Sequence, residues 1–266
     1  MFRIISSGGL ELAVEIFGRG APLLFAHGLT GNRQQSRLEL QPLEKYFQVI
    51  IFDQRGHGDS TPVTDAERYH PDEMADDITA ILDALGIEEA IVGGESMGAA
   101  TSLLFALHHP ERVSALLQTA PAFGVGENPE KERLLMMARQ IGELGMEKFL
   151  EGMKYRLRYD FGMPENAVAV IEQAMGSHQP ESIAAACKGT ASWQLFSDLS
   201  PLENFPKPVY LIAWENDPLH PLELAQQMLA AFPEAKLKML PALHTIFTRP
   251  QGIGERYLKM LREESQ

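Results

Sequence analysis

The apolar run Ala90–Gly93 passes into a helical pattern, Met97–His108, through Gly94-Glu95-Ser96-Met97-Gly98. No other feature restricts the fold of this chain as much. A strand that becomes a helix across one serine, with glycine two positions to either side, must make a sharp turn whose flanks have no room for side chains. The turn also aims the first N–H groups of the helix at the place where negative charge would develop during attack by the serine. The bland alternative is a glycine-rich strand–helix turn with an incidental serine. Gly93 and Ala99-Ala100 allow close helix packing in either case.

The surrounding pattern supplies the context. Phe2–Ser7 and Leu10–Phe17 flank Gly8-Gly9 as a β-hairpin. Pro22–Ala26 and Gln48–Phe52 read as buried strands, each running into a loop, the second being Asp53-Gln54-Arg55-Gly56-His57-Gly58-Asp59-Ser60. Asp72–Leu85 carries Met74, Ile78, Ile81, Leu82 and Leu85 on one helical face and stops at Gly86. Val113–Thr119 is the next strand. The alternation resumes with strand Pro208–Ala213, helix Pro221–Ala231, strand Ala235–Leu240 and helix Gly252–Arg262. Strands alternating with helices over short loops predict an α/β protein, a mostly parallel central sheet flanked by helices. Between the two blocks the alternation stops. Glu130–Ile141, Met146–Arg158, Glu165–Ala174 and Ile183–Phe196 read as helices without strands, so the predicted layout is core 1–121, helical insertion 122–205 and core 206–266.

Composition narrows the function. A net charge of −13 disfavours a general nucleic-acid binder and docking on anionic lipid. The single cysteine, Cys187, excludes an internal disulfide and reads as a small buried hydrophobe. No apolar run approaches the roughly 20 residues of a membrane span, and no signal peptide is evident, so a cytoplasmic protein is expected.

A serine nucleophile needs a base, and the base an orienting acid. Of the eight histidines, His108 and His109 suit a helix C-terminus, and His70 and His178 read as exposed. His27 and His57 follow strands and lie near the site or shape their loops. His244 follows the last strand, at the carboxyl end of the sheet where open parallel sheets place their sites. Asp217 follows the strand before it and is the acid candidate, with an Asx turn or a helix cap as its plain alternative. Glu215 is a second carboxylate, less free to reach, and His220 reads as a surface residue before Pro221. Ser96, Asp217 and His244 then stand in the order Ser, Asp, His, each after its own strand.

On His27-Gly28-Leu29, the Asp53–Ser60 loop, Gly94–Gly98, Glu215-Asn216-Asp217 and Leu243-His244, the chain resembles the α/β-hydrolase superfamily, in its serine-nucleophile branch of esterases, C–C hydrolases, enol-lactonases and cofactor-free haloperoxidases. The resemblance implies an oxyanion hole from the Leu29 and Met97 N–H groups, a helical cap at the insertion, and chemistry needing neither metal nor organic cofactor. Two positions depart from many relatives: Glu95 stands where histidine precedes the serine, and Leu243 where glycine precedes the histidine. The Glu95 side chain is expected to point away from the substrate.

Six of the 12 methionines fall in the insertion: Met136, Met137, Met146, Met153, Met163 and Met175. Methionine adapts to irregular apolar shapes, so Met136, Met137 and Met153 with Trp193 and His27 are the candidate substrate contacts, against ordinary core packing. Lys154, Arg156 and Arg158 read as a solvated face, with binding of a substrate carboxylate as the sharper alternative. The expected activity is hydrolysis of a small or medium carboxylic ester through an acyl-enzyme, carboxylesterase-like. C–C hydrolysis, lactone opening or perhydrolysis by the same residues, or a small-molecule receptor on the same scaffold, are the competing functions. The expected partner is the small acyl substrate. The exposed cap is the candidate surface for a homodimer.

Overall fold

The computed structural model describes residues 1–217, 219–242 and 244–263; Pro218 and Leu243 lie outside the described residues. Eight strands form one sheet in the order β1-β2-β4-β3-β5-β6-β7-β8. They are β1 (Phe2–Ser7), β2 (Leu10–Gly18), β3 (Ala21–Ala26), β4 (Phe47–Phe52), β5 (Ala90–Glu95), β6 (Val113–Thr119), β7 (Val209–Trp214) and β8 (Ala235–Leu240). β2 runs antiparallel to both β1 and β4, and every pair from β4 onward is parallel. The predicted mostly parallel sheet is therefore present.

The inner strands are near-continuous apolar runs because both faces are covered. Side chains alternate between the faces: Leu24, Ile50, Val92, Leu116 and Leu211 pack on one side, Leu23, Phe25, Val49, Ile51 and Ile212 on the other. The first face is covered by α2 (Pro71–Ala84), α3 (Met97–His108) and α8 (Leu222–Ala231), the second chiefly by α10 (Gln251–Glu263) through Ile253, Tyr257 and Met260. Edge strand β8 is half exposed and carries Lys236 and Lys238, which discourage pairing with another chain.

A short helix, Arg33–Glu39, has no counterpart in the sequence reading. Its buried residues are Arg33, Ser36 and Glu39, so it carries no apolar period to detect. It is held by the Asn32 side chain, which caps Gln35 N–H. This helix is α1 in chain order.

Between β6 and β7 lie α4 (Lys131–Tyr159), α5 (Glu165–Gly176), α6 (Pro180–Ala191) and α7 (Ser200–Glu203). The two helices predicted over 130–158 are one run broken at Gly145, whose φ of 79° is open to glycine. The helix predicted over 183–196 begins earlier, at Pro180, and ends at Ala191. Polar contacts tie this segment to the chain after β4. Val63 N–H donates to Ser182 Oγ at 3.1 Å, Tyr69 Oη to Ser182 O at 3.1 Å, and Trp193 Nε1 to Tyr69 O at 2.8 Å.

Candidate active site

The turn at Ser96 is strained as its sequence requires. Ser96 has φ 51° and ψ −111°, a left-handed backbone that costs a side-chain-bearing residue roughly 1–3 kcal/mol. The flanking glycines permit it: a Cβ on Gly94 would lie 2.2 Å from the Gly98 backbone, and one on Gly98 would lie 2.1 Å from Ala26 O. Ser96 N–H donates to Thr119 O at 3.0 Å, which pins the turn to β6.

The loop after β7 reaches this serine through one side chain, His220, held by a second, Asp217. Asp217 Oδ1 accepts from the N–H groups of Leu219 (2.8 Å) and His220 (3.2 Å), an Asx turn that folds the chain back on itself. The turn brings His220 Nδ1 to 2.7 Å from Asp217 Oδ2, and the far side of the ring places Nε2 at 3.0 Å from Ser96 Oγ. The bonding assigns the tautomer: Nδ1–H donates to the carboxylate and Nε2 accepts from the serine hydroxyl. The Asp217 side chain is 1% exposed and that of His220 13%.

Thus Ser96 and Asp217 are joined through His220, which stands where His244 was expected. His220 is not the surface residue its neighbour Pro221 suggested. His244 is half-buried and precedes α9 (Thr245–Thr248), its carbonyl accepting from the N–H groups of Phe247 and Thr248. No described hydrogen bond involves its ring. Glu215 is exposed. The overlooked signal was the D-x-x-H spacing: an Asx turn at Asp217 returns the residue three positions on to its own carboxylate.

The shape of the turn after β3 follows from peptide geometry. Gly28 O accepts from His27 Nδ1 at 2.7 Å and from Gly31 N–H at 3.0 Å. Because C=O and N–H of a trans peptide point in opposite directions, these bonds turn the Leu29 N–H the other way. Leu29 O lies 2.9 Å from His57 Nε2, which holds the next peptide. Neither Leu29 N–H nor Met97 N–H donates to a described group. His27 is 1% exposed, and its Nε2 accepts from Gln54 N–H at 3.0 Å, so both ring nitrogens are occupied in shaping the turn. Burial, followed by the proximity of His57, lowers its pKa to about 3 and keeps it neutral.

His178, expected to be exposed, is instead buried beneath the helical segment. Its ring lies 5.1 Å from that of His57, which is 5.1 Å from that of His27. Gly58 N–H donates to His178 Nδ1 at 3.2 Å. Burial and then the two neighbouring imidazoles lower its pKa to about 3. The Asp53–Ser60 loop is held by Arg55, which is 2% exposed and bonds both Asp77 oxygens at 2.8 and 2.9 Å.

Leu29 packs between two apolar clusters. One holds Met97, Phe123 and Trp193; the other holds Met137, Met153, Met163, Met175 and Phe247. The Trp193 ring lies tilted against that of Phe123 at 5.0 Å, and its Nε1–H bond to Tyr69 O joins the helical segment to the core. Met136 is 48% exposed and belongs to neither cluster. Lys154 pairs with Glu172 and Arg158 with Glu165, while Arg156 meets Gln140 at 3.5 Å on the exposed face.

The comparisons agree with this architecture. The family model described as alpha/beta hydrolase fold matches residues 21–152. The chain is 28% identical over 229 residues to 3-oxoadipate enol-lactonase 2 of Acinetobacter baylyi, covering 84% of this chain and 81% of that one. It is 29% identical over 228 residues to 2-(acetamidomethylene)succinate hydrolase of Mesorhizobium japonicum, covering 82% and 78%. Its structure superposes on a thermophilic esterase from Thermogutta terrifontis with a TM-score of 0.84 and 25% identity, over 99% of this chain and 98% of that one. With this sheet order, this strained serine turn and these relatives, the chain belongs to the α/β-hydrolase superfamily.

Proposed function

We propose that the protein is a cytoplasmic serine hydrolase, carboxylesterase-like, that cleaves uncharged carboxylic esters through an acyl-enzyme. The observation that carries this is the continuous Ser96–His220–Asp217 relay, 3.0 Å and 2.7 Å, at the strained turn. Ser96 Oγ attacks the carbonyl carbon as His220 Nε2 takes its proton. The carbonyl electron pair moves onto oxygen, where the Leu29 and Met97 N–H groups receive it. Collapse expels the alcohol, which leaves with the proton from His220. Water, deprotonated by the same nitrogen, then releases the acid. Asp217 keeps the ring oriented and stabilises the imidazolium.

The substrate class follows from the surroundings. Leu29, at the oxyanion turn, contacts the methionine- and phenylalanine-rich clusters of the helical segment, which we read as a cap. The three basic cap residues suggested by sequence are engaged with acidic or amide partners, and Glu95 flanks the turn. A carboxylate-bearing substrate therefore finds no cation in this set, which weighs against the acidic substrate classes named for the two sequence relatives.

The test is hydrolysis of p-nitrophenyl esters of increasing acyl length beside a hemisuccinate ester, in wild type and Ser96→Ala. Turnover that prefers neutral acyl chains and vanishes in Ser96→Ala is expected. Activity retained in Ser96→Ala would remove the nucleophile, and preference for the hemisuccinate would overturn the substrate class.

A further inference from the structure

One buried amide outside the relay touches both segments that supply the oxyanion donors. Gln54, in the loop after β4, is 1% exposed. Its Nε2 donates to His27 O at 2.5 Å, and its backbone N–H donates to His27 Nε2 at 3.0 Å. An N–H can only donate, so His27 Nε2 is the bare nitrogen, and Nδ1 carries the hydrogen that goes to Gly28 O at 2.7 Å. Gly28 C=O and Leu29 N–H belong to one rigid peptide plane. Gln54 therefore holds His27 by its carbonyl and by its ring, and His27 holds the plane that carries the Leu29 N–H. The segment that supplies Met97 adjoins the same carbonyl: a Cβ on Gly98, in the first turn of α3, would lie 2.6 Å from His27 O. Gln54 Oε1 also stands 3.5 Å from Thr101 Oγ1, a hydroxyl that donates to Met97 O at 3.0 Å.

We propose that Gln54 is a positioning residue for the oxyanion hole: its side-chain amide fixes the His27 carbonyl against the first turn of α3, and with it the direction of the Leu29 N–H. A primary amide sealed from water must recover its desolvation cost through its bonds. Methionine fills nearly the same space without that cost, so core shape does not account for an amide here; the carbonyl it bonds does. The hole acts on charge that develops only as Ser96 attacks. A misdirected Leu29 N–H therefore costs turnover and not substrate binding.

This role rests on the serine-hydrolase reading, and its test is separable from it. Gln54→Met removes the amide and leaves the backbone N–H to His27 in place. It is compared with wild type on p-nitrophenyl acetate, and on inhibition by an aryl trifluoromethyl ketone and by the matching carbinol. Ser96 Oγ bonds to the ketone carbon, the C=O pair moves onto oxygen and the Ser96 proton passes to His220 Nε2, so the adduct carries the oxyanion; the carbinol cannot form it. The expected fall in kcat is about tenfold, short of the roughly 10²- to 10³-fold that follows loss of a donor outright. KM should stay within about twofold, and the ketone's inhibition constant should rise by the factor that kcat/KM loses, with the carbinol's unchanged. Urea unfolding checks that the variant is folded. Gln54→Asn, whose amide is one methylene too short to hold the 2.5 Å bond, reads the same loss if Gln54→Met does not fold. Wild-type kcat and ketone inhibition in a folded variant overturn the proposal, as does equal weakening of ketone and carbinol, which a general loosening of the site would give. Failure of both variants to fold assigns Gln54 to stability and also overturns it. A wild type inert towards both ester and ketone removes the serine-hydrolase reading, and this role with it.

Discussion

Replacing His220 by alanine removes the only described group bonded to the Ser96 hydroxyl and leaves Asp217 with its turn bonds alone. A positioned general base contributes roughly 10²- to 10⁴-fold. Here the ring is fixed at both ends, 3.0 Å from Ser96 Oγ and 2.7 Å from a carboxylate whose side chain is 1% exposed. We therefore expect kcat to fall about 10⁴-fold, equivalent to about 5 kcal/mol of transition-state stabilisation. KM should change little, because the ring contacts the nucleophile and not the body of the substrate. His244→Ala should cost less than tenfold. The assay is steady-state hydrolysis of a short-chain p-nitrophenyl ester by both variants, with urea unfolding of each to exclude misfolding. Added imidazole should restore part of the His220→Ala rate, since the 13% exposed ring leaves a cavity open to solvent. If His220→Ala stayed within tenfold of wild type while His244→Ala lost a thousandfold, the geometric argument would be refuted and the base would come from the start of α9.

Three further outcomes follow from the packing. Gly98→Ala places a Cβ 2.1 Å from Ala26 O, with backbone on both sides of the contact, so it should cost several kcal/mol in urea unfolding or prevent folding; a fully stable variant would contradict the close approach. Arg55→Ala leaves Asp77 buried without its cation and should destabilise by about 3–5 kcal/mol, whereas Arg55→Met with Asp77→Leu should recover most of the loss, measured as a double-mutant cycle. His178 binds a proton less readily folded than unfolded, so the stability it contributes is complete above pH 6.5 and is lost as the pH falls towards about 3. The urea-unfolding difference between wild type and His178→Asn should therefore shrink by about 2 kcal/mol between pH 7 and pH 5, and a pH-independent difference would rule out the buried neutral ring.

Much of this molecule was legible in the chain. Val49–Phe52 and Leu23–Ala26 are apolar throughout because helices cover both faces of the sheet, and continuous apolarity is itself the signal of an inner strand. The glycines at 94 and 98 marked the serine turn because a Cβ at either position would lie near 2 Å from neighbouring backbone, which excludes every other residue. What escaped was polar and non-periodic. Helix α1 buries Arg33 and Glu39, so its pattern looked like a loop, and His178 looked exposed because its burial depends on a helix pair docking over His57. Met136 and Met137 are adjacent in sequence, yet one is 48% exposed and the other 9%, a division made by which face of α4 meets α5 and α6.

The sequence by itself determined the sheet, most of the helices that cover it and the sharp turn at Ser96, since each depends on local periodicity or on glycine at a backbone that tolerates nothing else. Only the tertiary structure decided which histidine meets Ser96 and that the Glu95 carboxyl lies beside Gly28. Those outcomes depend on how loops from separate strands converge in space, and the direction of a side chain across such a gap is set by its partners there, not by its neighbours along the chain.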